Sequence, residues 1–106
     1  MGLIYKVIWN DNEIGELSDL TNDMWYIDGK WTPFHTGLSV EFEEKVKFSD
    51  PKKLMQSPQN AQRIVLQNAA EPSKLYCLVM LLDGEYLSVR QISSKEALNM
   101  FFPNRS

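Results

Sequence analysis

"DMWYIDGKWTPF", residues 23–34, carries two tryptophans, a tyrosine, a phenylalanine and a proline around one Asp-Gly pair. Asp-Gly between apolar runs is a strong hairpin signal, because both central positions of a type I′ turn need positive φ. A turn at Asp28-Gly29 sets a register. Ile27 opposes Lys30, Tyr26 opposes Trp31, Trp25 opposes Thr32 and Met24 opposes Pro33. One face then holds Met24, Tyr26, Trp31 and Pro33; the other holds Trp25, Ile27, Thr32 and the stem of Lys30. Both faces are apolar, and large aromatics bury roughly 150–250 Å² each. A bare face would expose about 300–600 Å², near the largest patch on a typical monomer. Each face is therefore expected to be covered. The cover is either the chain itself, which would use aromatic cross-strand pairs simply to fold, or a second subunit or foreign partner.

The flanking sequence also reads as strands. Leu3, Tyr5, Val7 and Trp9 alternate with Ile4, Lys6 and Ile8. The turn formers of "NDNE" follow, and Ile14–Ser18 returns, with Gly15 at a bulge. Leu38, Val40, Phe42, Val46 and Phe48 share one side of a period-two pattern that Glu44 interrupts, which predicts a half-buried strand over Leu38–Phe48. Asp50-Pro51 and Ser57-Pro58 are helix starts. Residues 58–69 fit a helix, but Arg63–Gln67, with Ile64, Val65 and Leu66, equally fits a strand, and the strand is favoured. Leu75–Leu82, Asp83-Gly84 and Glu85–Ile92 form a second hairpin signal. A turn at Asp83-Gly84 pairs Leu82 with Glu85 and puts Leu78, Met80, Leu87 and Val89 on the core face. Ser93 with Glu96 makes a capping box, so a short helix over 94–101 should offer Ala97, Leu98, Phe101 and Phe102 to the sheet.

The expected fold is a single α+β domain over residues 1–106. It is mainly antiparallel, built from successive hairpins curled into a roll or partly open barrel, with a short C-terminal helix. A chain of 106 residues can bury a core unaided, and its apolar share of 43% is ordinary for a globular protein. The longest apolar run, Leu75–Leu82, is too short to cross a bilayer. No signal-peptide pattern opens the chain, and one cysteine builds no internal disulfide, so a cytoplasmic location without membrane contact is expected.

Net charge is −3 and uneven. Residues 1–29 carry one basic and six acidic side chains; the remainder carries ten basic and eight acidic. Nucleic-acid binding needs a concentrated basic surface, and none is visible. His35 and Cys77 are single copies, and Cys77 lies in "LYCLVMLL", where a thiol behaves as a small buried hydrophobe. No catalytic pair, zinc set or cofactor motif follows from them. "DNEIGELSDLTND" lacks the ligand order of a calcium loop. Glu44 is the one carboxylate in a suspicious position, and pairing with Arg63 or Arg90 in the core, or a place at a strand bend, would explain it.

These features point first to a non-catalytic protein-binding module. Trp25, Tyr26, Trp31 and Phe34 are the candidate apolar anchors, and Asp11, Glu13, Asp19, Asp23 and Asp28 the acids that steer a basic partner. An immunity- or inhibitor-type role fits the size and charge. One alternative is a small-ligand or enzyme domain with a pocket inside the curled sheet. Tyr5, Trp9 and Phe42 would line it, with His35 or Glu44 as its polar group. Another is a homodimer formed through the aromatic face.

Overall fold

The computed structural model of the chain describes residues 4–103. Leu3, read as part of the first strand, lies outside them. Six antiparallel strands close into a barrel: β1 (Tyr5–Trp9), β2 (Asn12–Asp23), β3 (Tyr26–Pro33), β4 (Arg63–Asn68), β5 (Lys74–Asp83) and β6 (Tyr86–Gln91). The order around the barrel is β1-β2-β3-β6-β5-β4, and β4 pairs back onto β1. The expected roll or partly open barrel is thus fully closed, and closure removes the free strand edges an open sheet would present. Between β3 and β4 the chain forms α1 (Gly37–Val46), α2 (Pro51–Gln56) and a 3₁₀ turn at Pro58–Asn60; α3 (Lys95–Phe101) follows β6.

Asp28-Gly29 is not a turn. Tyr26–Pro33 is one continuous strand, and the chain reverses at Met24-Trp25, between the paired Asp23 and Tyr26. Gly29 has no positive φ; its role is space. A Cβ built there would lie 2.6 Å from the Cγ of Leu17, so only glycine lets that leucine cross the inside of β3. Ile27, Gly29 and Trp31 consequently point inward, while Tyr26, Asp28 and Lys30 point outward.

Turn chemistry operates elsewhere. Asn10 and Asp11 both have positive φ, as a type I′ turn requires, and join β1 to β2. Gly84 has φ +60 at the first turn position between β5 and β6. That turn is Gly84-Glu85, since Asp83 pairs with Tyr86, Leu82 with Leu87 and Leu81 with Ser88. The register at the turn differs from the expected one by two residues, which keeps the faces, and a bulge between Val79 and Leu81 then exchanges them along the rest of β5. Cys77 and Val79, not Leu78 and Met80, join Leu87 and Val89 inside the barrel.

Two bulges bend β2. Val7 pairs with Gly15 and Ile8 with Glu13, leaving Ile14 as the extra residue beside the expected glycine. Ile14 and Leu17, which strict alternation would place on opposite faces, are both fully buried. Further along, Ser18 pairs with Lys30 and Thr21 with Asp28, so Asp19 and Leu20 share the space opposite Gly29, with Asp19 at φ 52.

Leu38–Phe48, expected as a strand, is helical. Thr36 caps α1: its Oγ1 accepts from the Ser39 amide at 3.1 Å, and the Ser39 hydroxyl donates to the Thr36 carbonyl at 2.9 Å. The buried residues are Ser39, Phe42 and Val46, at helical spacing. Val40 and Phe48, members of the period-two pattern, face solvent. α1 closes the end of the barrel where β1 and β3 finish. There the Phe42 ring lies 5.6 Å from Trp9 and 5.5 Å from Trp31, in edge-on and tilted contacts. The indole of Trp31 donates to Glu43 Oε2 and that of Trp9 to Gln62 Oε1, both at 3.1 Å.

The expected strand at 63–67 and the expected C-terminal helix are both present. The cap of α3 is Ser94, one residue beyond the Ser93 of the expected box, and its hydroxyl accepts from the Ala97 amide. α3 lies on the outside of the barrel. Phe101, with Ala97, Leu98 and Phe102, covers Leu78, Ala61 and Ile92 there.

Candidate functional site

The predicted anchors and acids separate into two groups at opposite ends of the barrel. Phe34 follows the end of β3 that α1 covers, and Asp11 and Glu13 lie at the β1–β2 turn of the same end. Glu13 is held there by Lys6, with its carboxylate 3.1 Å from the ammonium. Trp25 is at the other end. The eight residues of β3 separate it from Phe34 by roughly 25 Å at a rise of about 3.3 Å per residue. Trp31 is no anchor: it is 4% exposed and belongs to the barrel core.

The alternative pocket does not assemble as expected. Trp9 and Phe42 fill the α1 end of the barrel, and Tyr5 packs against the same core. His35 is exposed on the loop between β3 and α1, with φ 59. Glu44 is exposed on α1 and pairs with Lys47 one turn away at 2.6 Å, so it neither breaks a buried face nor meets Arg63 or Arg90.

The end around Trp25 has a distinct composition. Met24 and Trp25 form the whole of a two-residue turn and are 84% and 53% exposed. Met24 has φ 57 at the first turn position. Glycine is the residue that position favours, because a side chain there crowds the backbone. The Gln91 amide donates to the Trp25 carbonyl at 2.7 Å and pins the tip to the end of β6.

From this tip the outer face of β2–β3–β6 runs up the barrel, with its β6 edge bordering the start of α3. Register places Asp23, Tyr26 and Arg90 in one row across it, and Thr21, Asp28 and Ser88 in the next. The Ser88 hydroxyl donates to the Asp28 carboxylate. Asp19 and Asp23 are exposed and have no ion-pair partner among the described residues. β2 as a whole carries Glu13, Glu16, Asp19 and Asp23 and no basic residue.

Sequence reasoning therefore found Trp25, Tyr26, Asp19, Asp23 and Asp28 at this end, and missed Met24 and Arg90. No local signal marks Met24 as a turn residue. Arg90 joins the row only through the pairing of β3 with β6, which lies far away in sequence.

Cys77 faces the barrel interior, remote from the exposed loop that carries His35. Burial pushes its thiol up to about 12, because the interior disfavours the thiolate. Native protein is expected to resist a thiol-labelling disulfide reagent at pH 8 and to react fully once unfolded in urea; absorbance of the released thiolate reads both. A raised thiol value stabilises the folded state below its ordinary value of 9.0, and that contribution falls away as pH rises from 9.0 towards 12. Among the described residues no group of His, Cys, Asp and Glu is placed to hold a metal ion. Among them, too, no helix is long and apolar enough to cross a membrane.

In comparisons with known proteins, no family model, no curated protein and no solved structure matches this chain.

Proposed function

We propose that this chain is a non-catalytic protein-binding module that docks a basic partner on the Met24-Trp25 tip and the adjoining face of β2 and β3. The observation that carries the reading is the pair of side chains at the turn. A two-residue hairpin is best made with Asn, Asp or Gly. Here methionine occupies a left-handed position, at a cost of roughly 1–2 kcal/mol, and both side chains face water. Folding alone gives no reason for that choice. An interface does, since tryptophan, tyrosine and methionine are enriched at the buried centres of protein contacts.

Asp19, Asp23 and Asp28 supply the polar surround. Exposed acids outside ion pairs add little to folding, but they steer a basic protein and set its orientation. An immunity- or inhibitor-type role against a basic toxin or nuclease accords with this chemistry. The test is affinity capture with the wild-type chain at low and high salt, beside Trp25→Ala and Asp23→Lys. The expected result is a basic protein retained at low salt, lost with Trp25→Ala and weakened by salt or Asp23→Lys. Identical capture by all three proteins at both salt concentrations would overturn the proposal.

A further inference from the structure

We infer that the groove between Trp25 and the start of α3 seats one apolar side chain of a peptide segment that carries its basic residues on the β2 side. The inference rests on the binding reading above and makes it directional. The groove has a volume of about 240 Å³ and is lined by Trp25, Arg90, Gln91, Ile92, Ser93 and Ala97. That lies below the roughly 300–1,000 Å³ of pockets that enclose small-molecule ligands. It is the size of a single-side-chain socket. Its floor is firm: Ile92 is buried under α3, and the hydrogen bond from Gln91 to the Trp25 carbonyl fixes the wall the tryptophan provides. A socket that is already formed loses less freedom on binding than one that must be assembled.

Charge sets the direction. The row Arg90–Tyr26–Asp23 crosses three strands. At about 4.8 Å between neighbours, the guanidinium strand and the carboxylate strand stand roughly 10 Å apart. Asp19 continues the negative side along β2, and Asp28 lies one row up on β3, whereas Arg90 is the charged residue that lines the groove itself. A segment lying across the tip therefore meets Arg90 where its apolar residue inserts and carboxylates two strands further on. Lys or Arg is favoured at the second position and disfavoured at the first.

Selection of a displayed random-peptide library on the full chain, followed by titration with a synthetic copy of the enriched peptide, tests this. Enriched peptides are expected to share one large apolar residue with Lys or Arg on a single side of it. Affinity should fall at least tenfold with Ala97→Trp, which fills the socket. Ser93→Tyr, on an exposed residue of the rim, should do the same if the substitution at the half-buried Ala97 disturbs α3; circular dichroism reports folding of each. Peptides that depend on Trp25 but bind both filled variants unchanged would overturn the socket while leaving the tip as the contact surface. No enrichment, enrichment without basic residues, or a Trp25-dependent dimer in sedimentation, which assigns the groove to a second copy, would each overturn the inference.

Discussion

Phe42→Ala is expected to cost about 3–5 kcal/mol, the usual range for truncating a buried phenylalanine. Domains of this size hold roughly 5–15 kcal/mol in total. Phe42 is fully buried and is the wedge between Trp9 and Trp31 at the closed end of the barrel. Removing it leaves a cavity the barrel wall cannot collapse into, because closure ties every strand to two neighbours. It also loosens α1, whose other anchors are Val46 and the Glu43 bond to the Trp31 indole. Phe48→Ala supplies the contrast. Phe48 is 84% exposed, so its loss should stay within about 0.5 kcal/mol. Urea unfolding of both variants measures the difference. The comparison discriminates between conformations as well as positions: on a strand over Leu38–Phe48 the two phenylalanines would share a buried face and cost alike. Equal losses would rule out the helix.

That contrast shows why part of the fold could be read from the chain and part could not. Strands β1, β4, β5 and β6 and the C-terminal helix were legible because their signals are local: alternation, a β-branched run, an Asp-Gly turn region, a serine cap. α1 was not. Its exposed face carries Leu38 and Val40, and these two with Phe42 make a period-two pattern out of a helix. The competing signal was Thr36 three residues before Ser39, a cap whose worth depends on the barrel end below it. Asp28-Gly29 misled for a related reason. Glycine serves either a turn or a close approach, and Leu17, twelve residues upstream, decides which. Placing the turn at 28–29 then put Trp31 and Tyr26 on the same face. The strand in fact sends Trp31 inward and Tyr26 outward. The candidate site inherited that error in part. Its acids and Trp25 are neighbours in sequence and were found; its division between two barrel ends, and the entry of Arg90, exist only in the strand pairing.

Gly29→Ala and Gly15→Ala should both destabilise the barrel, by about 1–3 kcal/mol as overpacking usually does, and they should differ in whether a second substitution relieves them. At Gly29 the obstacle is a side chain. The new methyl would lie 2.6 Å from Leu17 Cγ and 3.1 Å from both terminal carbons. Leu17→Ala alone opens a cavity, since Leu17 is fully buried, and belongs in the range of about 2–5 kcal/mol. Combined, the two changes exchange volume across one contact, so the double variant should lose at least about 1 kcal/mol less than the sum. At Gly15 the obstacle is mixed. A methyl there meets the Trp31 ring at 2.5 and 2.7 Å and the Thr32 carbonyl oxygen, which is backbone, at 2.7 Å. Trimming Trp31 to leucine cannot move that oxygen. The Gly15→Ala, Trp31→Leu pair should therefore show little or no rescue. Chemical denaturation of the four single and two double variants gives both coupling energies. A turn at Asp28-Gly29 would predict the opposite for the first pair, because a positive-φ penalty at position 29 is indifferent to the size of residue 17. Strict additivity at Gly29 and Leu17 would thus restore the hairpin and remove the register that brings Asp23, Tyr26 and Arg90 into one row.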